Sequence, residues 1–379
     1  MRILVFLVVL LMTETSKAAS SYWWYMSFLN PDITAVIVHP ADPNVLYVGN
    51  MVSSDGGQTW EVFGWGIGLP RGFSPDPADP LTLYVITSGD PGDPKKQLLR
   101  ITQKGGSDRE VLGDLSTFEG GVPSSVLVHP SRPQTLYVGT SKGDLFRSDD
   151  RGVTWKRLYH TPPENVSWDA GLSLIVVPPA APSTIYFNDP ADRTSLYRSF
   201  DEGETWQRLV PEPEHYVGAL VAGSQNPQVL YLVGDAVGYC PGGAVCPGGV
   251  VYRSRDGGDS WESILQSYWP RSIKFTTSRA LAVDPEDSER VAVAAREGVY
   301  LTGNGGKNWT FLELPISSLR GEYEAYSVAI QPTSPKRLLT TVIDVLFALE
   351  LPIESSSVAP SSWGQVKARF LPLLPVISK

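Results

Sequence analysis

The stretch Arg320-Gly321-Glu322-Tyr323-Glu324 crowds a guanidinium, a phenol and two carboxylates together. With Arg71 and Arg279 it makes a set of three arginines and a Tyr–Glu pair. Such a set suits a carboxylate-bearing sugar: guanidinium groups grip a carboxylate bidentately, and a phenol next to a base can act as nucleophile. Asp169, beside Trp168, adds another carboxylate. Paired with Glu324 it could cleave a glycosidic bond, which needs two carboxyl groups about 5 to 9.5 Å apart. Cys240 and Cys246 stand in YCPGGAVCPGG, where a disulfide closing a small loop is the simplest reading and no His is nearby to join a metal site.

Asp55 is a further candidate, in the octet SSDGGQTW at 53–60. The octet recurs as SDDRGVTW with Asp150, SFDEGETW with Asp201, SRDGGDSW with Asp256 and TGNGGKNW with Asn304. A catalytic carboxylate is needed once, whereas this one returns in unit after unit and tolerates Asn. In a tight turn an Asp accepts backbone N–H groups a few residues on, and Gly takes a backbone conformation that a side chain forbids. The octets are therefore expected to be structural turn locks, each with a Trp buried against its surroundings.

A second element precedes each octet. It reads VHPADPNVLYVG at 38–49, VHPSRPQTLYVG at 128–139 and, in looser form, IQPTSPKRLLT at 330–340. Seven such units, counted from Pro40 to Pro332, give a mean period of about 49 residues, within the range of propellers and solenoids. Each unit reads as four short strands, because β-branched and aromatic runs alternate with Pro, Gly, Asn and Asp. The predicted fold is all-β: a seven-bladed β-propeller of four-stranded antiparallel blades, which leaves no long exposed edges. Units two and seven have eroded octets, TQKGGSDR and SSSVAPSSW. Two segments compete to supply the last strand of blade seven, the N-terminal WWYMSFL and the stretch at Trp363.

The octets resemble Asp boxes, also called bacterial neuraminidase repeats. Combined with the HP…LYVG element, they are similar to those of sialidases, xyloglucan-active glycoside hydrolases, sortilin-type receptor domains and photosystem II assembly factors. That resemblance covers essentially the whole mature chain and implies the fold far more than any activity. The Arg-Ile-Pro motif of sialidases is absent, and xyloglucan-active relatives typically carry two propellers where this chain has room for one.

In a propeller the mouth of the central channel is the usual binding face, built by connections into the innermost strands and by second-to-third-strand turns. Those connections carry Asp32, Arg71, Glu119 and Asp169 in the first half of the chain, and His215, Arg271, Arg279, Arg320 and Glu324 in the second. Trp168, Tyr216 and Tyr323 are interleaved, a mixture suited to a polar ligand or peptide. His39 and His129 follow equivalent strands and read as turn packing.

Residues 1–18 read as a cleaved signal peptide, with a basic start, an apolar run from Ile3 to Met12 and Ser16-Lys17-Ala18 at the cut. Residues 19–379 then form a single secreted or periplasmic propeller with no membrane span, since ten apolar residues are too few. A net charge of −9 argues against nucleic acid as a partner. No cofactor or metal is expected, and the protein is expected to be a monomer. The sequence favours a non-catalytic propeller that binds a protein or carbohydrate through its mouth loops. The alternative is a glycoside hydrolase of sialidase or xyloglucanase type.

Overall fold

The computed structural model describes residues 24–27, 35–49, 51–62, 72–87, 97–102, 108–114, 116–119, 121–161, 174–188, 194–210, 217–239, 245–268, 280–296, 298–314, 325, 327–342 and 345–351. Their strands fall into seven sheets of four, each antiparallel throughout. In six of the blades the strands follow chain order; in blade three, for example, Pro123–Val128, Leu136–Thr140, Leu145–Ser148 and Lys156–Tyr159 lie side by side. The first strands of consecutive blades contact one another around the ring and so line the central channel.

Both faces of a blade are covered by its neighbours, so its middle strands read as unbroken apolar runs instead of alternating ones. The Leu-Tyr-Val motif shows this: Tyr47, Tyr137, Tyr186 and Tyr231 are at most 1% exposed. Seven apolar clusters result, one in each gap between blades. Val36, Leu46 and Val48 meet Leu339 and Leu346 across the closing interface, while Val291 and Val293 meet Val233 and Val251 between blades five and six.

The chain closes the ring with its N-terminal strand. Trp24–Ser27 is the outermost strand of blade seven, in register Trp24↔Ala348 to Ser27↔Val345. Of the two segments that compete for this place, the structure takes the N-terminal one; Trp363 lies outside the described residues.

Strands that alternate in direction sort their turns onto two faces. First-to-second-strand turns and the octets share one face, while second-to-third-strand turns and the links between blades share the other, the mouth face. In each octet the carboxylate ties its own turn. Asp55 Oδ1 accepts the Ser53 hydroxyl at 2.8 Å and the amides of Gln58 and Thr59, both at 2.8 Å, and Oδ2 accepts the Thr59 hydroxyl at 2.6 Å. Asp150, Asp201 and Asp256 repeat these bonds with Thr154, Thr205 and Ser260. Asn304 keeps the amide bond to Asn308, at 2.9 Å. The octet Gly that follows has φ between 91° and 101° in all five copies, a left-handed conformation that is costly with a Cβ.

On the same face a position just after the innermost strand links neighbouring blades. His39 Nε2 lies 2.9 Å from the Asp76 carbonyl, and His129 Nε2 2.9 Å from that of Pro182. Gln331 Nε2 donates to the Pro43 carbonyl at 2.7 Å across the closing interface. Both histidines are buried, at 1% and 0% exposure.

Candidate functional site

Most of the ring expected at the channel mouth falls outside the described residues. Asp32, Arg71, Trp168, Asp169, His215 and Arg271 lie outside the described residues, as do Arg279, Arg320, Glu322, Tyr323 and Glu324. Cys240 lies outside as well, and of Cys246 the backbone alone is described, paired with Gly238 in a hairpin whose strands run ten residues each.

Glu119 is the member of the ring that is described. It takes a left-handed φ of 51° in the link from blade two to blade three. Its carboxylate pairs with the Arg157 guanidinium, and its carbonyl accepts Lys142 Nζ at 2.9 Å. The link is itself braced: Asp114 Oδ1 accepts the amides of Ser116 at 2.8 Å and Thr117 at 3.2 Å, and Phe118 is fully buried.

Three segments meet at this corner of blade three. Ser141 N donates to the Val122 carbonyl at 2.7 Å, and Val122 N to the Ser141 hydroxyl at 3.0 Å, which joins the incoming link to the 141–144 turn. Thr161 Oγ1 donates to the Gly143 carbonyl at 3.0 Å, joining the same turn to the end of the outer strand. Inside this frame Asp144, 1% exposed, holds His160 Nδ1 at 2.5 Å, and the His160 side chain is half exposed. Sequence reasoning passed over Asp144, Lys142, Arg157 and His160. The one available signal was position: a turn between second and third strands, and the first residues after an outer strand.

The other buried carboxylates belong to the octet face. Asp284 is fully buried; burial raises its pKa, but hydrogen bonds from Lys336, the Glu286 amide and Arg290 outweigh that and hold it below the usual carboxylate range. Perturbed carboxylates mark functional sites in many proteins. Here Lys336 Nζ at 2.7 Å and Arg290 Nη1 at 2.6 Å seal the group between blades six and seven, so Asp284 joins blades. Among the described residues no three His, Cys, Asp or Glu side chains converge to hold a metal ion, and no helix is long and apolar enough to cross a membrane.

No family model matches the chain. It is 24% identical over 325 residues to a "probable oligoxyloglucan-reducing end-specific xyloglucanase" of Neosartorya fischeri, covering 73% of this chain and 39% of that protein. Relatives from Acetivibrio thermocellus and Emericella nidulans are also named xyloglucanases. The chain thus spans about two fifths of the length of the first of these relatives. Among solved structures, the GH74 xyloglucanase of Xanthomonas campestris superposes with a TM-score of 0.64 at 20% identity, over 85% of this chain and 52% of that one. A YCF48 propeller bound to a D1 peptide superposes with a TM-score of 0.59 at 15% identity, over 89% and 100%.

These findings correct the expectation of a non-catalytic binder. The relatives found by sequence are named as glycoside hydrolases, whereas the peptide-bound propeller is similar in shape at lower identity. The chain is a seven-bladed β-propeller whose fold neighbours include GH74 xyloglucanases and YCF48.

Proposed function

We propose that the chain is a glycoside hydrolase of xyloglucanase type that holds a neutral β-glucan across its mouth face. The observation that carries this reading is the sequence similarity to named xyloglucanases along 73% of the chain. In this reading Asp169, Glu322 and Glu324 are the carboxylates from which acid and base are drawn. One carboxylic acid protonates the glycosidic oxygen while a carboxylate activates water or attacks the anomeric carbon, and their separation sets the stereochemical outcome. Xyloglucan bears no carboxylate on its backbone, so Arg71, Arg279 and Arg320 are not required as an anion clamp and serve as hydrogen-bond donors to hydroxyls. Trp168 and Tyr323 flank the carboxylates in sequence and offer flat faces to sugar rings.

Incubation of the purified protein with xyloglucan, followed by reducing-end assay and product mapping, tests the reading. The wild type is expected to release oligosaccharides, and Asp169→Asn, Glu322→Gln and Glu324→Gln identify the pair by losing at least about a hundredfold in rate. Absence of new reducing ends from the folded wild type, on xyloglucan and on its oligosaccharides, sinks it.

A further inference from the structure

The Asp144–His160 pair lies within blade three, between the 141–144 turn and the end of the outer strand. Asp144 is 1% exposed, and its backbone amide donates to Thr140 Oγ1 at 3.2 Å. Its carboxylate accepts hydrogen bonds and cannot donate while ionised, so the proton between the two residues sits on His160 Nδ1. In the neutral ring that leaves Nε2 as an acceptor on a half-exposed side chain. Burying a carboxylate is costly unless it is paired and hydrogen-bonded, and His160 supplies that hydrogen bond while its ring stays half exposed.

The surroundings select a class of ligand. Glu119 and Asp144 carry negative charge, Lys142 and Arg157 positive charge, so the corner is balanced and does not favour an ion. Lys142 spends one donor on the Glu119 carbonyl at 2.9 Å and has further N–H donors in solvent. Donors and acceptors interleaved on a rigid frame with no net charge match hydroxyl groups, each of which donates and accepts.

The geometry points to a neutral-sugar subsite at this corner of blade three, in which His160 Nε2 accepts a hydroxyl of the glycan and Asp144 fixes the ring for that contact. The inference rests on the xyloglucanase reading for the identity of the sugar. His160 is a binding residue here, and Asp144 a positioning residue that acts through it.

The test is calorimetric titration of the full chain with a xyloglucan oligosaccharide, beside a ¹⁵N histidine spectrum that reports the His160 tautomer. His160→Ala, at a half-exposed position, is expected to fold as the wild type does and to bind at least tenfold more weakly. Asp144→Asn is expected to weaken binding by a smaller factor and to shift the His160 ring toward a tautomer mixture. The wild-type ring should show the Nδ1-protonated form, with the Nε2 resonance moving on addition of sugar. Equal affinity of wild type and His160→Ala overturns the subsite and leaves the hydrolase reading standing. Binding that depends on His160 without any cleavage sinks the hydrolase reading and supports the subsite. A folded wild type that neither binds nor cleaves overturns both.

Discussion

Arg253 Nη1 donates to the carbonyl of Gly305, in the octet of the next blade, at 3.0 Å. The same reach recurs from Arg198 to Gly257 at 2.7 Å, from Arg147 to Glu202 at 3.4 Å and, across the closing interface, from Arg337 to Gly56 at 3.1 Å. Each acceptor is the fourth octet residue, whose left-handed backbone turns its carbonyl toward the neighbour. Where the following octet is eroded, the residue before the octet, or at its equivalent position, is apolar: Val52 ahead of blade two and Leu301 ahead of blade seven. Blade two has Ile101 at this position, and blade three answers with Arg151 directed back to Asp76 at 3.6 Å. The octets therefore join blades as well as closing turns.

Arg253→Met tests that role. The substitution keeps most of the stem, which is 4% exposed, but removes the donors to Gly305 and the pairing with Glu289. Leaving a buried carbonyl unpaired costs about 2 kcal/mol. A drop of several degrees in Tm is expected, and an unchanged melting curve would count against the clasp.

Two octet glycines with matching backbones separate conformational from packing cost. Gly57 and Gly306 have φ of 92° and 91°. A Cβ on Gly57 would lie 3.4 Å from its nearest neighbour, whereas on Gly306 it would meet Ile264 at 2.5 and 2.9 Å. Ala at either position costs about 1 to 2 kcal/mol for the left-handed backbone, and at Gly306 overpacking adds about 1 to 3 kcal/mol. Denaturation of Gly57→Ala and Gly306→Ala should show the second clearly less stable; equal losses would mean that blade five yields around Ile264.

What could be read in advance follows the range of each interaction. The octet bonds run from Asp150 to residues two to four positions away, so spacing alone exposed them. The arginine ahead of the octet was visible in three copies, as Arg147, Arg198 and Arg253, but its partner sits a blade later, and no local pattern reveals a bond from Arg198 to Gly257. Trp24 and Trp363 looked alike because both head a strand-like run; pairing with Val345–Ala348 distinguished the N-terminal one. At the mouth, Glu119 was legible as a charged residue in a link between blades. Asp144 and His160 are 16 positions apart, and the turn that joins them left no motif in the sequence.

Acid should weaken the octet turns. The hydroxyl and amide of Thr154 hold Asp150 down to about 2, those of Thr205 do the same for Asp201, and those of Ser260 for Asp256. An unfolded Asp titrates near ~3.9, so the folded values are depressed. Stability from these groups is then fully present above about pH 4 and is lost as the pH falls toward 2. Asn304 shows that an amide oxygen can accept the same backbone bond. Replacing Asp150, Asp201 and Asp256 by Asn should therefore flatten the decline in Tm between pH 4 and pH 2. A triple variant that declines as steeply as the wild type would place the acid sensitivity elsewhere.

Ring closure by the N-terminal strand predicts what its loss would do. Trp24–Ser27 covers the edge of Val345–Ala348, and without it the third strand of blade seven would present unpaired backbone groups to solvent. Open edges of this kind pair with other copies. A protein beginning at Phe28 also forgoes several ladder hydrogen bonds, on the order of 3 kcal/mol at about 1 kcal/mol each. Compared with a protein beginning at Ala19, it should melt several degrees lower and shift to larger species in size-exclusion chromatography. If it stays monomeric with the same Tm, the outermost place in blade seven must be filled by another part of the chain, and Trp363 becomes the segment to delete next.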